Sequence, residues 1–302
     1  MQQAQQPVAV TEDFRPRWSR RQSWFAYGKR FARRYPLGAF GAVVLLLLVV
    51  AAILAPQIAP YDPLDQDVPS RLTPPGSQYW LGSDTFGRDT FSRIIFGSRA
   101  SLYVGLVSVA IGAVIGTLLG VASGYLGGRI DILMQRLVDA LMGFPGLVLA
   151  LLMVVALGAS LNNVTIAISI TFIPRMTRLA RSSALSVKQE VYVLASQAIG
   201  AGGVRVILRH ILPNCLAPVF VLATGYLGTA VVAEASLSFL GLGVPPPAPS
   251  WGGMLELAAR ERMESAPWLA IFPGLALSMV VFSFAFFGDA LRDAFDPRLR
   301  GR

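Results

Sequence analysis

The sequence is poor in the residues that most often build catalytic and metal sites. Its 302 residues include one cysteine, Cys215, and one histidine, His210. An intrachain disulfide and a Cys/His metal cluster are therefore excluded. A phosphate-binding loop of the form Gly-x-x-x-x-Gly-Lys-Ser/Thr is also absent, because Gly28-Lys29 is followed by Arg30 and Ser23 stands at the position of the first glycine. The chain thus has no P-loop with which to hold nucleotide phosphates.

Charged residues are scarce as well. They make up 14% of the chain, against about 25% in an average soluble protein, while 54% of the residues are hydrophobic. The charges cluster and leave long uncharged stretches, and a bilayer span needs about 20 consecutive apolar residues. The composition therefore indicates a membrane protein that crosses the bilayer several times.

The hydrophobic runs predict an all-α polytopic membrane protein with six transmembrane helices. The 35 uncharged residues between Asp139 and Arg175 are too many for one span and too few for two, so we split this run at 158–163. The third span then begins before Asp139 and the fourth runs past Arg175, which places both charges near one interface. The other predicted spans are 37–58, 100–123, 212–238 and 268–289.

Five regions follow from this division. We predict a basic cytoplasmic N-terminus at 1–35, a first transmembrane helix at 36–60 and a proline-rich external segment at 61–99. A core of five helices follows at 100–290, with a long cytoplasmic loop at 182–211, and a cytoplasmic tail occupies 291–302.

The distribution of basic residues predicts the orientation in the membrane. Twenty of the 26 Lys and Arg residues lie on the side that carries both termini, and six lie on the other. Because basic residues concentrate on the cytoplasmic side, both termini are predicted to be cytoplasmic. A nucleic-acid-binding surface explains the net charge of +9 less well, since the basic residues are divided among four loops and ends.

The loop at 182–211 is long and compatible with a short surface helix. Ser186 is a candidate helix cap, Gly200 is a candidate helix end, and Pro213 suits the first turn of the next span. Small residues between 195 and 201 would let another protein approach the backbone closely. An amphipathic helix lying on lipid headgroups is the alternative interpretation of the same pattern.

Several motifs together indicate a family. They are Trp80-Leu81-Gly82-Ser83-Asp84 with Gly87-Arg88-Asp89 and Ser92-Arg93; Gly124-Tyr125-Leu126-Gly127-Gly128 with Asp131; Arg136-Leu137-Val138-Asp139 with Phe144-Pro145; the loop Tyr192–Asn214; Glu234–Gly243; Pro246–Leu255; and Gly288–Pro297. With these motifs, the chain resembles the second permease subunit of ABC importers of the dipeptide, oligopeptide and nickel type, over about residues 24–300.

The resemblance implies a type I importer core made by helices 2–6, with helix 1 peripheral, in a bacterial inner membrane. It implies three kinds of protein partner besides lipid, and no nucleic acid: a homologous second permease, two cytoplasmic ATPase subunits that carry ATP and Mg²⁺, and an external substrate-binding protein. It assigns ATPase coupling to a helix at 190–206 and to Glu190, Tyr192, Ala195, Ser196, Gly200, Ala201, Arg205, His210 and Pro213.

One departure from the family lies in this loop. The family's coupling motif usually reads Glu-Ala-Ala, whereas this chain has Leu194-Ala195-Ser196. An acidic contact to the ATPase is therefore expected to be missing or replaced, while docking through Ala195, Gly200 and Ala201 remains the expectation.

Glu234 is the only acidic residue well inside a predicted span. Since a charge there is costly, Glu234 with Ser236 and Ser238 is either part of a translocation path or gate, or a structural hydrogen-bonding group near the outer interface. Trp251 and Trp268 flank an external loop and are interpreted as interfacial anchors.

Two other functional classes remain as alternatives. A secondary transporter would need ionisable groups at mid-membrane, for which Glu234 is the single candidate. A membrane serine hydrolase would need a nucleophile beside a base, but Ser160 is predicted outside and His210 inside. The chain is therefore expected not to be an enzyme, and the cargo is left open among dipeptides, oligopeptides, glutathione and nickel.

Overall fold

The computed structural model describes residues 31–260 and 264–295. Most of the predicted N-terminus at 1–35 and most of the tail at 291–302 lie outside these residues. Within them the fold is helical, and the one pairing of extended residues is an isolated bridge between Ser83 and Asp89. The helices are α1 (Pro36–Ile53), α2 (Ala55–Ile58), α3 (Thr90–Leu126), α4 (Gly128–Met142), α5 (Gly146–Leu157), α6 (Leu161–Lys188), α7 (Val191–Ala198), α8 (Gly203–Phe239), α9 (Trp251–Arg260) and α10 (Trp268–Phe295).

The all-α membrane architecture is confirmed, but the count of six spans is not reproduced in every detail. Among the described residues, α1, α3, α8 and α10 are long and apolar enough to cross a membrane, and the bent pair α4–α5 makes a fifth candidate. Helix α6 has 28 residues and therefore a length of about 42 Å. It is long enough to span, but its basic residues leave it less apolar than the others.

Helix α3 begins ten residues before the predicted second span. The Asp89 side chain accepts a hydrogen bond from the backbone N–H of Ser92 at 2.8 Å, which caps the helix at its first turn. The helix then continues for 37 residues to Leu126. The predicted boundary at residue 99 therefore falls inside a helix, because a capping aspartate outweighs the change from polar to apolar residues.

The predicted third span is broken. Helices α4 and α5 meet at an angle of 90° across the residues 143–145. Pro145 disfavours helical geometry at Phe144, so α4 ends at this point and a new helix starts at Gly146. Periodicity and length alone predict one continuous helix here.

The largest helix–helix interface joins α3 to α6. Gly112, Gly116, Gly120 and Gly124 lie along one face of α3, and a Cβ atom on Gly116 would lie 2.9 Å from the carbonyl oxygen of Ile173. Small residues at this spacing let two backbones approach closely.

The segment at 61–99, which is predicted to be external, forms hydrogen bonds within itself and with the helices. Arg88 donates a hydrogen bond from Nε to Asp84 at 2.6 Å, and the buried Arg93 donates to the carbonyl oxygen of Pro63 at 2.8 Å. Trp268 donates to the carbonyl oxygen of Ser83 at 3.2 Å. Trp251 is fully buried and donates to Ile94 at 3.0 Å. The interpretation of Trp251 as an interfacial anchor was therefore wrong, because its ring packs inside the helix bundle.

Helix α8 also begins earlier than predicted, at Gly203 rather than at residue 212. It contains a π-helical turn at Ile207–Ile211 and then runs as an α-helix from Leu212 to Phe239. Pro213 therefore lies one turn or more inside a continuous helix. The last helix ends at Phe295, beyond the predicted limit of 289.

Candidate functional site

The predicted coupling helix at 190–206 is divided into two parts. Helix α6 extends to Lys188, so Ser186 lies inside it and does not cap the next helix; Glu190 occupies the N-cap position of α7. Helix α7 ends at Ala198, and Gly200 has a φ of +86°. Because glycine adopts this left-handed conformation without steric cost, Gly200 allows the chain to turn directly into α8.

Helix α7 presents an apolar outer surface. Val193 is fully buried beneath the helix, where it packs with Ala184 and Val206. The side chains on the opposite face are exposed; they are Val191, Tyr192, Leu194, Ala195, Ala198 and Ile199. Exposed apolar patches of this kind mark interaction sites with proteins or membranes.

Two polar contacts tie α7 to the base of α8. Ser196 Oγ lies 3.3 Å from Nε2 of His210, and Asn214 donates a hydrogen bond from Nδ2 to the hydroxyl of Tyr192 at 3.2 Å. The rings of Tyr192 and His210 are 6.0 Å apart. His210 lies in the π-helical turn, a rare geometry that is often found at functional sites.

The other predicted coupling residues lie near the contacts between α7 and α8 but take no part in them. Glu190, Arg205 and Pro213 are exposed, and no side-chain hydrogen bond from Glu190 caps α7. Ala201 is half-buried and packs against the core below α7. Sequence reasoning missed Asn214 as the partner of Tyr192, and its position directly after Pro213 gave no signal of that role.

A cavity of about 330 Å³ lies at the break between α4 and α5. Helices α6 and α8 form its other walls. Most of its lining is apolar, and its polar side chains are Thr171, Arg175, Thr229 and Ser236. Broken helices beside a cavity are a common way for transporters to bind their cargo.

The three residues predicted to form a translocation path or gate, Glu234, Ser236 and Ser238, have different surroundings in the structure. Ser236 is half-buried and lines the cavity. Glu234 is fully buried between α3 and α8, where its carboxylate accepts hydrogen bonds from Ser238 at 2.7 Å and Ser101 at 3.2 Å. Ser238 in turn accepts from the backbone N–H of Val244 at 3.4 Å. Glu234 and Ser238 thus join α3, α8 and the loop after α8, and neither lines the cavity.

Arg175 is the cavity residue that sequence reasoning missed, since the sequence pattern marked it only as a charge near a membrane interface. Its guanidinium carbon lies 5.8 Å from the centre of the Tyr226 ring. The two following arginines of α6 both pair with carboxylates of α4: Arg178 with Asp139 at 2.5 Å and Arg181 with Asp131 at 2.6 Å. In the sequence, the sign of a special role for Arg175 was its position at the end of a long uncharged stretch.

The described residues contain no cluster of three or more His, Cys, Asp or Glu side chains that could hold a metal ion. Ser160, the one candidate nucleophile, caps α6 by accepting from the N–H of Asn163 at 3.1 Å. His210, the one candidate base, is engaged with Ser196 near the opposite end of α6.

Comparison with known proteins identifies the type of chain. The model of a family described as the binding-protein-dependent transport system inner membrane component matches residues 116–301. The chain belongs to this family. The N-terminal transmembrane domain of oligopeptide transport permease C matches residues 27–75. The expected ABC transport permease, a multi-pass membrane protein, is thereby confirmed.

Relatives of the permease cover most of its length. It is 41% identical over 268 residues to a dipeptide transport system permease protein of Alkalihalophilus pseudofirmus, covering 89% of this chain and 88% of the relative. It is 43% identical over 282 residues to a glutathione transport system permease protein of Escherichia coli, covering 93% of this chain and 92% of the relative.

A solved structure supports the type I fold of the permease. The methionine ABC transporter MetNI, in an inward-facing conformation, has a chain that superposes with a TM-score of 0.56 at 20% identity. The superposition covers 68% of the permease and 96% of the MetNI chain.

Proposed function

We propose that this permease forms one half of the membrane channel of an ATP-driven importer of short peptides in a bacterial inner membrane. A homologous permease supplies the other half, two cytoplasmic ATPase subunits hydrolyse ATP with Mg²⁺, and an external binding protein delivers the cargo. Both termini then lie in the cytoplasm. The relatives named for dipeptide and glutathione transport support peptides as cargo, and nickel is the alternative that the family resemblance includes.

One observation carries this proposal: helix α8 touches the exposed helix α7 at one end and lines the cavity at the other. At its base, His210 and Asn214 contact α7. Farther along, Thr229 and Ser236 line the cavity. An ATPase that displaces α7 therefore moves a helix that forms the wall of the path, as expected for alternating access by movement of packed helices.

In this mechanism the ATPase docks on the apolar outer face of α7. Leu194 is 51% exposed and Ile199 is 87% exposed, so both can bury apolar surface against a partner. Leu194 stands where the family usually has glutamate, which makes the docking contact apolar rather than ionic. Gly200 keeps the end of α7 free of side-chain atoms.

The test is the substitution Ala198→Arg on the exposed face of α7, with Ala259→Arg as the matched control on α9, where the alanine is also exposed. We expect Ala198→Arg to insert normally but to lose ATPase co-purification and binding-protein-stimulated hydrolysis. The control should retain both. Wild-type behaviour of Ala198→Arg in both measurements would contradict the assignment of α7 as the coupling helix.

A further inference from the structure

Arg175 lines the cavity, and its positive charge affects which cargo the cavity can bind. Arg175 lies 14 residues into the 28-residue helix α6, about 21 Å from its first residue, so its backbone is close to the middle of the helix. Arg175 is exposed at the cavity wall, where its positive charge can attract an anionic group.

Among the described residues, no carboxylate forms an ion pair with Arg175. The contrast with its neighbours on the same helix is clear, since Arg178 and Arg181 pair with Asp139 and Asp131 on α4. Arg175 instead lines the cavity, and its guanidinium carbon lies 5.8 Å from the centre of the Tyr226 ring, which is not part of the cavity wall. On α6, therefore, two arginines are neutralised by ion pairs, whereas Arg175 at the cavity is available to pair with an anionic ligand.

The rest of the cavity suits an anionic group with an apolar remainder. The first residues of α5, Gly146 and Leu147, lie in its wall, and no side chain caps that helix. The first N–H groups of a helix carry a partial positive charge. Thr171 and Ser236 bring hydroxyl groups, and the remaining lining is largely aliphatic and aromatic. A bare divalent cation would be repelled by Arg175.

We propose that this cavity is a transit subsite for a carboxylate group of the cargo, with Arg175 as its ionic ligand. This inference rests on the proposed function and narrows it, because it favours carboxylate-bearing peptides over nickel ions. Arg175 is then a specificity residue: it makes the path attractive to the carboxylate end of a peptide while the apolar wall accepts varied side chains.

The experiment uses the assembled complex, with its ATPases and binding protein, in phosphatidylcholine vesicles. Cys215→Ser removes the one native thiol, and Val232→Cys places a reporter thiol at an exposed position of the cavity wall. The rate at which a small neutral maleimide alkylates this thiol is measured with millimolar Ala-Ala or with the C-terminal amide of Ala-Ala. We expect Ala-Ala to slow alkylation several-fold and its amide to have no effect.

Arg175→Gln should abolish the protection by Ala-Ala, and Arg175→Lys should retain part of it. Arg178→Gln is the matched control, because Arg178 lies one turn away in an exposed ion pair, and protection should persist. Equal protection by the peptide and its amide, protection that survives Arg175→Gln, or no protection by Ala-Ala would each overturn the proposal.

Two further measurements distinguish peptide binding from lipid binding and from a failure of assembly. If phosphatidylglycerol added without peptide protects the thiol in an Arg175-dependent manner, the cavity holds a lipid headgroup and the proposal fails. Co-purification of the ATPases is recorded for each variant. Loss of assembly in the wild-type complex would contradict the proposed function, whereas normal assembly without carboxylate-dependent protection would contradict this inference alone.

Discussion

The hydroxyl oxygen of Ser196 lies 3.3 Å from Nε2 of His210 and so joins α7 to the π-helical turn of α8. The family's usual motif has alanine at this position, and alanine has no hydroxyl group. Ser196 therefore makes a polar contact that the usual residue could not make. With the bond between Asn214 and Tyr192, it connects α7 to the base of α8. The exposed face of α7 remains available for a partner.

The first prediction concerns this contact. His210→Ala removes one hydrogen bond, worth about 1 kcal/mol, which corresponds to about a fivefold shift in an equilibrium. We expect the ATPases to co-purify normally but cargo uptake per ATP hydrolysed to fall several-fold. Arg209→Ala is the control, because Arg209 is exposed and precedes His210 directly. An unchanged uptake ratio for His210→Ala would show that the contact does not transmit movement.

The second prediction concerns the interface between α3 and α6. Gly116→Ala would place a methyl group 2.5 Å from Cβ of Met176 and 2.9 Å from the carbonyl oxygen of Ile173. We expect a loss of about 1–3 kcal/mol from overpacking, seen as a lower Tm of the purified permease in detergent.

Gly225→Ala is the matched control for this prediction. Gly225 also lies inside a helix, but nothing is found within 4 Å of its would-be Cβ. Alanine should be neutral there or stabilise the helix by about 0.5–1 kcal/mol. A Gly116→Ala variant as stable as Gly225→Ala would contradict the close approach of α3 and α6.

The third prediction distinguishes the two roles considered for Glu234. Glu234→Gln keeps one oxygen that can accept from Ser238 or Ser101, and its amide N–H can donate to the hydroxyl oxygen of the other serine, so we expect near-normal uptake and Tm. Glu234→Ala leaves both buried hydroxyl groups without this partner and should cost about 1–3 kcal/mol of stability. Loss of uptake in Glu234→Gln at unchanged Tm would instead place Glu234 in the translocation path.

The fourth prediction concerns the orientation in the membrane. On a Cys215→Ser background, single cysteines are introduced by Ser77→Cys, Ala259→Cys and Gln189→Cys, all at exposed positions. An impermeant thiol reagent added to intact cells should label the first two variants and not the third, as the distribution of basic residues predicts. Labelling of Gln189→Cys in intact cells would contradict cytoplasmic termini.

Much of this protein could be predicted from local properties of the chain. The length of the apolar runs indicated a helical membrane protein, and short motifs such as Gly82-Ser83-Asp84 indicated its family. Gly200 was expected to end a helix, and its φ of +86° agrees with that expectation. These conclusions hold because hydrophobic length and glycine's conformational freedom act within a few neighbouring residues.

Helix boundaries were less predictable. The transition from polar to apolar residues placed the second span at 100, whereas the Asp89 cap starts α3 at Thr90. Likewise, the uncharged stretch after Asp139 concealed the 90° break at Phe144-Pro145. In both places a hydrogen bond or a proline restriction at a single residue overrode the average hydrophobicity of the segment.

By itself, then, the sequence determined that the chain is a helical membrane permease, the family to which it belongs and the loop that contains α7. The tertiary structure alone decided which charges are paired. It joined Arg178 and Arg181 to α4, left Arg175 at the cavity, and turned Glu234 away from it toward Ser101. The reason is that these pairings depend on how each helix is rotated about its axis and which distant helix it packs against, and no local pattern specifies either.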